Sequence, residues 1–170
     1  MSIQHPLGEV LRDGETVGLR FERHLSHPVE RVWRAITDSD QLRHWMPVDI
    51  VGERIAGSSV AATFWPDVVA KYQILEPTMT GKILTWDPPH KFSWMWDRDT
   101  LTFELHPSES GTRVVFTTWV VDTTAGVDKT AAGYHVCLDQ LVALVETHDA
   151  PPFIEADPTE YERAYAYLAQ

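Results

Sequence analysis

A chain of 170 residues fits a single domain with a sizeable core, since a polypeptide of this length buries roughly 70% of the surface its unfolded form exposes. Its formal net charge of −11 and pI near 5.0 argue against a nucleic-acid binder, which needs Lys and Arg to neutralise phosphates, and against docking on an anionic membrane. One cysteine, Cys137, rules out an intrachain disulfide and suits a reducing compartment; with no signal-like start and no apolar run of membrane-spanning length, a cytoplasmic location is expected.

Residues 1–16 read as a polar N-terminal segment containing Asp13-Gly14. From Val17 to Leu25 the chain alternates, with Val17, Leu19, Phe21, Arg23 and Leu25 on one face; this predicts a half-buried strand carrying a guanidinium on its apolar side. Ser26 to Thr37 has Pro28 at a first-turn position and Val29, Val32, Trp33 and Ile36 at helical spacing, and Asp38 to Trp45 reads as a second short helix ending before Pro47. Strands are predicted over 48–54 and 58–65 around an Ala56-Gly57 turn. Residues 66–77 lean to a helical turn after Asp67. Four more strands, 79–86, 91–97, 100–106 and 112–121, are joined by short turn-rich connections, as in an antiparallel meander.

A long helix is expected from an Asp128 cap to about His148, with Tyr134, Leu138, Leu141 and Val145 as one stripe. Cys137 lies beside that stripe and reads as a small buried apolar group. After a Pro151-Pro152 linker, Asp157-Pro158-Thr159-Glu160 has the chemistry of an N-cap, a first-turn proline and a capping glutamate. It opens a terminal helix with Tyr161, Tyr165 and Leu168 on one face. The division is therefore 1–16 lead-in, 17–148 domain and 149–170 linker with a capping helix.

Seven tryptophans imply an aromatic interior. Phe92, Trp94 and Trp96 share one face of a strand, and a fully buried indole removes roughly 150–250 Å² from water, an upper-bound transfer term of about 4–6 kcal/mol each. Such rings either fill a core or wall a cavity.

The order of elements, a strand, two short helices, six antiparallel strands and a long amphipathic helix, resembles the helix-grip fold of the SRPBCC superfamily, which includes birch-pollen-allergen-like and lipid-transfer START domains; the resemblance implies an α+β domain whose curved antiparallel sheet of about seven strands wraps around the long C-terminal helix. Pro28-Val-Glu-Arg-Val-Trp33, Leu42, Trp45, Gly81-Lys-Ile-Leu-Thr-Trp-Asp-Pro-Pro89, the tryptophan strand, Gly111-Thr-Arg-Val-Val-Phe-Thr-Thr118 and Gly133-Tyr-His-Val-Cys-Leu-Asp-Gln-Leu141, within about 17–148, more closely resemble the branch named after the activator of the heat-shock-protein-90 ATPase. The resemblance also implies a cavity between sheet and long helix that receives hydrophobic molecules in some members. Tyr134 stands where many relatives have tryptophan.

Candidate cavity residues are Arg23, Trp86, Trp94, Trp96, Phe103, Tyr134, His135 and Leu138, each weighed against plain core packing. Arg23 could anchor a carboxylate or pair with Glu104 or Asp97; His135 could exchange a proton near neutral pH or be a hydrogen-bonded structural residue. His24, His27 and His44 lack the spacing of a zinc site, and nucleotide loops, nucleophile elbows and C-x-x-C pairs are missing, so no metal or cofactor is expected. Three functions remain open: binding of a small hydrophobic or aromatic molecule, a cyclase, aromatase or hydrolase using Tyr134, His135 and Arg23, and a chaperone-cofactor or protein-interaction module. Homodimerisation is compatible with all three, and a chaperone partner rests on the resemblance alone.

Overall fold

The Asp13-Gly14 pair builds a strand as well as marking a turn. In the computed structural model, which describes residues 3–149, 153 and 157–169, Gly14 takes φ 61° and β1 (Glu9–Asp13) folds back antiparallel onto β2 (Thr16–Leu25). The sheet thus has eight strands, one more than the alternation of hydrophobic residues predicts. No residue of β1 is fully buried, so the period-2 signal that marks a half-buried strand is missing from it.

The chain continues through α1 (Val29–Thr37), α2 (Ser39–Leu42), β3 (Val48–Val51), β4 (Ser59–Phe64), α3 (Pro66–Tyr72), β5 (Thr78–Asp87), β6 (Lys91–Trp96), β7 (Asp99–Ser108), β8 (Gly111–Val120), α4 (Val127–Thr147) and α5 (Thr159–Ala164), which runs on into a 3₁₀ turn over Ala166–Ala169. All neighbours in the order β1-β2-β8-β7-β6-β5-β4-β3 are antiparallel. The helical turn expected within 66–77 is α3, opened by Pro66 in its first turn and closed at Gln73 in the left-handed region. At the long helix the cap differs from expectation: Gly126, at φ 105°, precedes the first turn, and Asp128 lies inside it. The terminal cap also differs: Pro158, not Asp157, occupies the cap position of α5, and Asp157 closes a turn one residue earlier, its Oδ1 accepting from the Thr159 amide at 3.0 Å and hydroxyl at 2.7 Å. The Pro151-Pro152 linker lies outside the described residues.

Cross-strand register makes the core. Phe92, Phe103, Phe116 and Phe21 are direct partners across β6, β7, β8 and β2, and their rings stack at 6.4, 4.6 and 6.1 Å. Such pairs contribute about 0.5–1.5 kcal/mol beyond their buried area. A bulge between Ile83 and Thr85 shifts the β5 register so that Trp86 faces Phe92; simple alternation from Ile83 would have turned Trp86 to the other side. Its ring then lies 5.0 Å from Trp33 of α1. Leu138, Leu141 and Val145 of α4 press on this sheet, each 1% exposed or less, and Trp45 is fixed by its Nε1–H donating to the Ala35 carbonyl at 2.8 Å. Trp119 covers Gly18, where a Cβ would come within 2.9 Å of the indole. Among the described residues no helix is long and apolar enough to cross a membrane.

Candidate functional site

An apolar cleft and a buried polar cluster flank α4. The cleft opens where the sheet and helix diverge. Trp96 at the end of β6, Pro47 after α2, Gly133, Tyr134 and Cys137 on α4, and Phe153 enclose an apolar cleft of about 210 Å³. A second cleft of about 310 Å³ adjoins it towards α3, sharing Pro47, Lys129, Gly133 and Phe153. Trp96 is held by near-parallel stacking on Trp94 at 6.0 Å and by its Nε1–H donating to Met79 Sδ at 3.3 Å. At Gly133 a methyl group would meet no heavy atom within 4 Å, so the missing side chain is open space.

The polar inventory of this cleft is small. Tyr134 packs on Phe116 at 5.2 Å, and burial drives its phenol well above the usual range, opposed by the nearby Thr118 hydroxyl. Thr118 Oγ1 is itself buried without a hydrogen bond that satisfies distance and angle. Burial likewise pushes the Cys137 thiol up, away from the thiolate that a nucleophile requires. Among the described residues no imidazole or carboxylate borders the smaller cleft.

A buried polar cluster lies on the side of α4 that faces β2 and both ends of the chain. His135 is fully buried; its Nδ1 is 2.7 Å from the Tyr165 hydroxyl, which also accepts from the Gly8 amide at 2.8 Å. Asp139, one turn on, takes the Tyr161 hydroxyl at 2.8 Å and His5 Nδ1 at 2.9 Å. The N-terminal segment and the terminal helix are thereby clasped onto a single turn of α4. Arg23 reaches the same place, its Nη2 3.5 Å from His135 Nε2 and its Nη1 donating to the Glu22 carbonyl at 2.7 Å. Burial is the main reason that the His135 pKa falls to about 4, with Asp139 opposing and Arg23 assisting. The imidazole is neutral at neutral pH. The same exclusion of water raises Tyr165 to about 12 and lowers Arg23.

A family model described as activator of Hsp90 ATPase homolog 1-like protein matches residues 26–146. The chain belongs to that family. Among solved structures it is similar to a conserved protein of unknown function from Enterococcus faecalis, with 23% identity, TM-score 0.76, and 94% of this chain and 88% of that one covered. CalU16 from Micromonospora echinospora has 19% identity and TM-score 0.61 over 91% and 88% of the two chains; a Mesorhizobium loti protein has 21% identity and TM-score 0.63 over 78% and 98%. These likenesses show a shared fold. No curated protein matches the chain in sequence.

Within this SRPBCC-type scaffold the eight candidate residues part company. Trp96 and Tyr134 border the apolar cleft, whereas Trp94, Phe103 and Leu138, at 2% exposure or less, are core. Trp86 joins Trp33 at a separate, open cleft of about 530 Å³ rimmed by Asp38, Asp40, Asp49 and Arg54. Arg23 and His135 meet each other rather than Tyr134, because successive helix residues point about 100° apart. Arg23 pairs with neither Glu104 nor Asp97; the carboxylate acting on it is Asp139. Sequence reasoning missed Gly133, Pro47 and Phe153 in the cleft and Asp139, Tyr161, Tyr165 and His5 in the clasp. Two signals were available: a glycine inside an apolar helix, and a histidine and an aspartate four apart on one helical face.

Proposed function

We propose that the protein binds a small, mostly apolar molecule with an aromatic ring in the cleft between Trp96, Tyr134, Gly133 and Phe153. The observation that carries this reading is the open space at Gly133 beside a pinned, partly buried indole. A helix interior favours alanine over glycine by about 1 kcal/mol, and here no steric reason demands the glycine. The space is what its absence of a side chain provides. An apolar cavity of about 150 Å³ is enough to take benzene, and drug-sized ligands use about 300–1,000 Å³; the two adjoining clefts suit a ligand of one or two rings. Among the described residues the titratable groups on the smaller cleft besides Lys129 are Tyr134 and Cys137, both driven towards their neutral forms, which favours recognition over acid–base chemistry there.

The test uses N-phenyl-1-naphthylamine, an uncharged fluorescent probe, with native mass spectrometry of the complex. One equivalent should bind, and Trp96→Ala should weaken it at least tenfold. Failure of this probe and of a panel of neutral one- and two-ring aromatics to bind saturably would overturn the reading.

A further inference from the structure

Arg23 is a buried guanidinium whose contacts do not match its charge. It is 3% exposed, its Nε has no hydrogen-bond partner, Nη1 is used on the carbonyl of the preceding residue, and Nη2 has only the long 3.5 Å contact to His135. Among the described residues no carboxylate closes an ion pair with it. His135 cannot repair this. Its Nε2 lies 3.5 Å from Arg23 Nη2 and 3.6 Å from Asp139 Oδ1, and one nitrogen can either donate towards the carboxylate or accept from the guanidinium. Asp139, meanwhile, is already served by His5 and Tyr161.

Arg23 also lines a cleft of about 300 Å³ roofed by Pro6 and Leu7 and edged by Arg20 and His24. Two carboxylates stand on its rim, both engaged: Glu22 is held by Arg113 at 2.9 Å, and Glu9 lies 3.9 Å from Arg20. We propose that this cleft is a binding site for the carboxylate of a small metabolite, which supplies the charged acceptor that Arg23 lacks. A guanidinium matches a planar carboxylate in geometry as well as charge. With Glu9 and Glu22 at the rim, one negative charge is tolerated better than the two of a phosphate. So little of Arg23 is exposed that the ligand enters with its charged end first and leaves its body between Leu7 and β2. This site is separate from the apolar cleft, on the opposite side of α4.

Benzoate, phosphate and chloride at constant ionic strength provide the test by isothermal titration calorimetry on the full chain. Benzoate should bind at one equivalent with chloride unable to displace it, phosphate should bind more weakly, and Arg23→Lys should weaken benzoate at least tenfold. No saturable benzoate binding, equal binding by Arg23→Lys, or tighter binding of phosphate overturns the proposal. Should Arg23 variants fail to fold, the wild-type protein decides by nuclear magnetic resonance. Benzoate that shifts the His135 ring signals with the calorimetric half-saturation supports the site; benzoate that moves the Trp96 indole signal alone assigns binding to the apolar cleft and overturns it.

Discussion

Replacing Gly133 separates what the helix prefers from what the cleft requires. In a helix interior glycine is about 0.8–1.0 kcal/mol less favourable than alanine, partly because it loses more backbone freedom on folding. That gain is normally offset when the new methyl collides, yet at Gly133 a Cβ meets nothing within 4 Å, and the backbone there is ordinary α4 helix. Gly133→Ala is therefore expected to stabilise the fold by about 1 kcal/mol, which for a chain of this size raises Tm by roughly 2–4 °C. Gly133→Leu should keep the propensity gain, project its side chain into the space beside Trp96 and Phe153, and lower N-phenyl-1-naphthylamine affinity at least tenfold. Urea unfolding and differential scanning calorimetry report the first effect, and fluorescence titration the second. Destabilisation of Gly133→Ala by 1 kcal/mol or more would refute the claim that the position is sterically free. A stable Gly133→Leu protein that binds the probe as wild type does would refute the assignment of the cleft.

Two further outcomes follow from the core and the clasp. Phe103 stacks between Phe92 and Phe116 and meets Trp45 edge-on at 5.8 Å, so Phe103→Ala should lose about 3–5 kcal/mol in urea unfolding, against less than about 0.5 kcal/mol for an exposed site. His135 titrates near pH 6.5 when unfolded and near 4 when folded, so the unfolded state binds the extra proton between those values. Stability is fully present above about pH 6.5, falls as pH drops towards 4, and flattens with respect to this group below it. The loss approaches about 3 kcal/mol for a group shifted this far. Urea unfolding of wild type and His135→Gln from pH 8 to 4 checks this, the variant showing a shallower slope in that window; equal slopes would show that the imidazole is not buried neutral.

Much of this architecture is written in local patterns. The alternation of Val17 to Leu25, the Pro28 helix start and the turn-rich joints between 79 and 121 each bury one face, and burial is what leaves a periodic trace in sequence. Where burial is partial the trace fades. Glu9–Asp13 pairs by backbone hydrogen bonds along an edge, and its side chains need no pattern. Trp86 reaches the concave side only because Leu84 is squeezed out as a bulge, and one extra residue reverses the parity of every assignment beyond it. The capping error at Asp128 has a similar origin: Gly126 can take φ 105°, whereas the rule for acidic caps assumes an extended residue at that point.

The site was less legible because it depends on which stripe of α4 meets which neighbour. Tyr134 and His135 are adjacent in sequence, but Thr130, Gly133, Tyr134 and Cys137 form one stripe while His135 and Asp139 form another. The first stripe meets Trp96 and Phe153, so its contacts are apolar and its one vacancy is a glycine. The second meets the two chain ends, where Gly8, His5, Tyr161 and Tyr165 converge. A hydrophobic pattern records only that both stripes are buried. What distinguishes them is the partner each finds, and for the second stripe those partners lie 112 to 134 positions away in one direction and 22 to 30 in the other. Arg23 is the exception that sequence did flag, since a charge on the buried face of a strand demands a partner wherever the fold places it; the fold gives it a backbone carbonyl, a long imidazole contact, the Phe21 ring at 5.8 Å and a cleft, and that mismatch is the ground of the proposed carboxylate site.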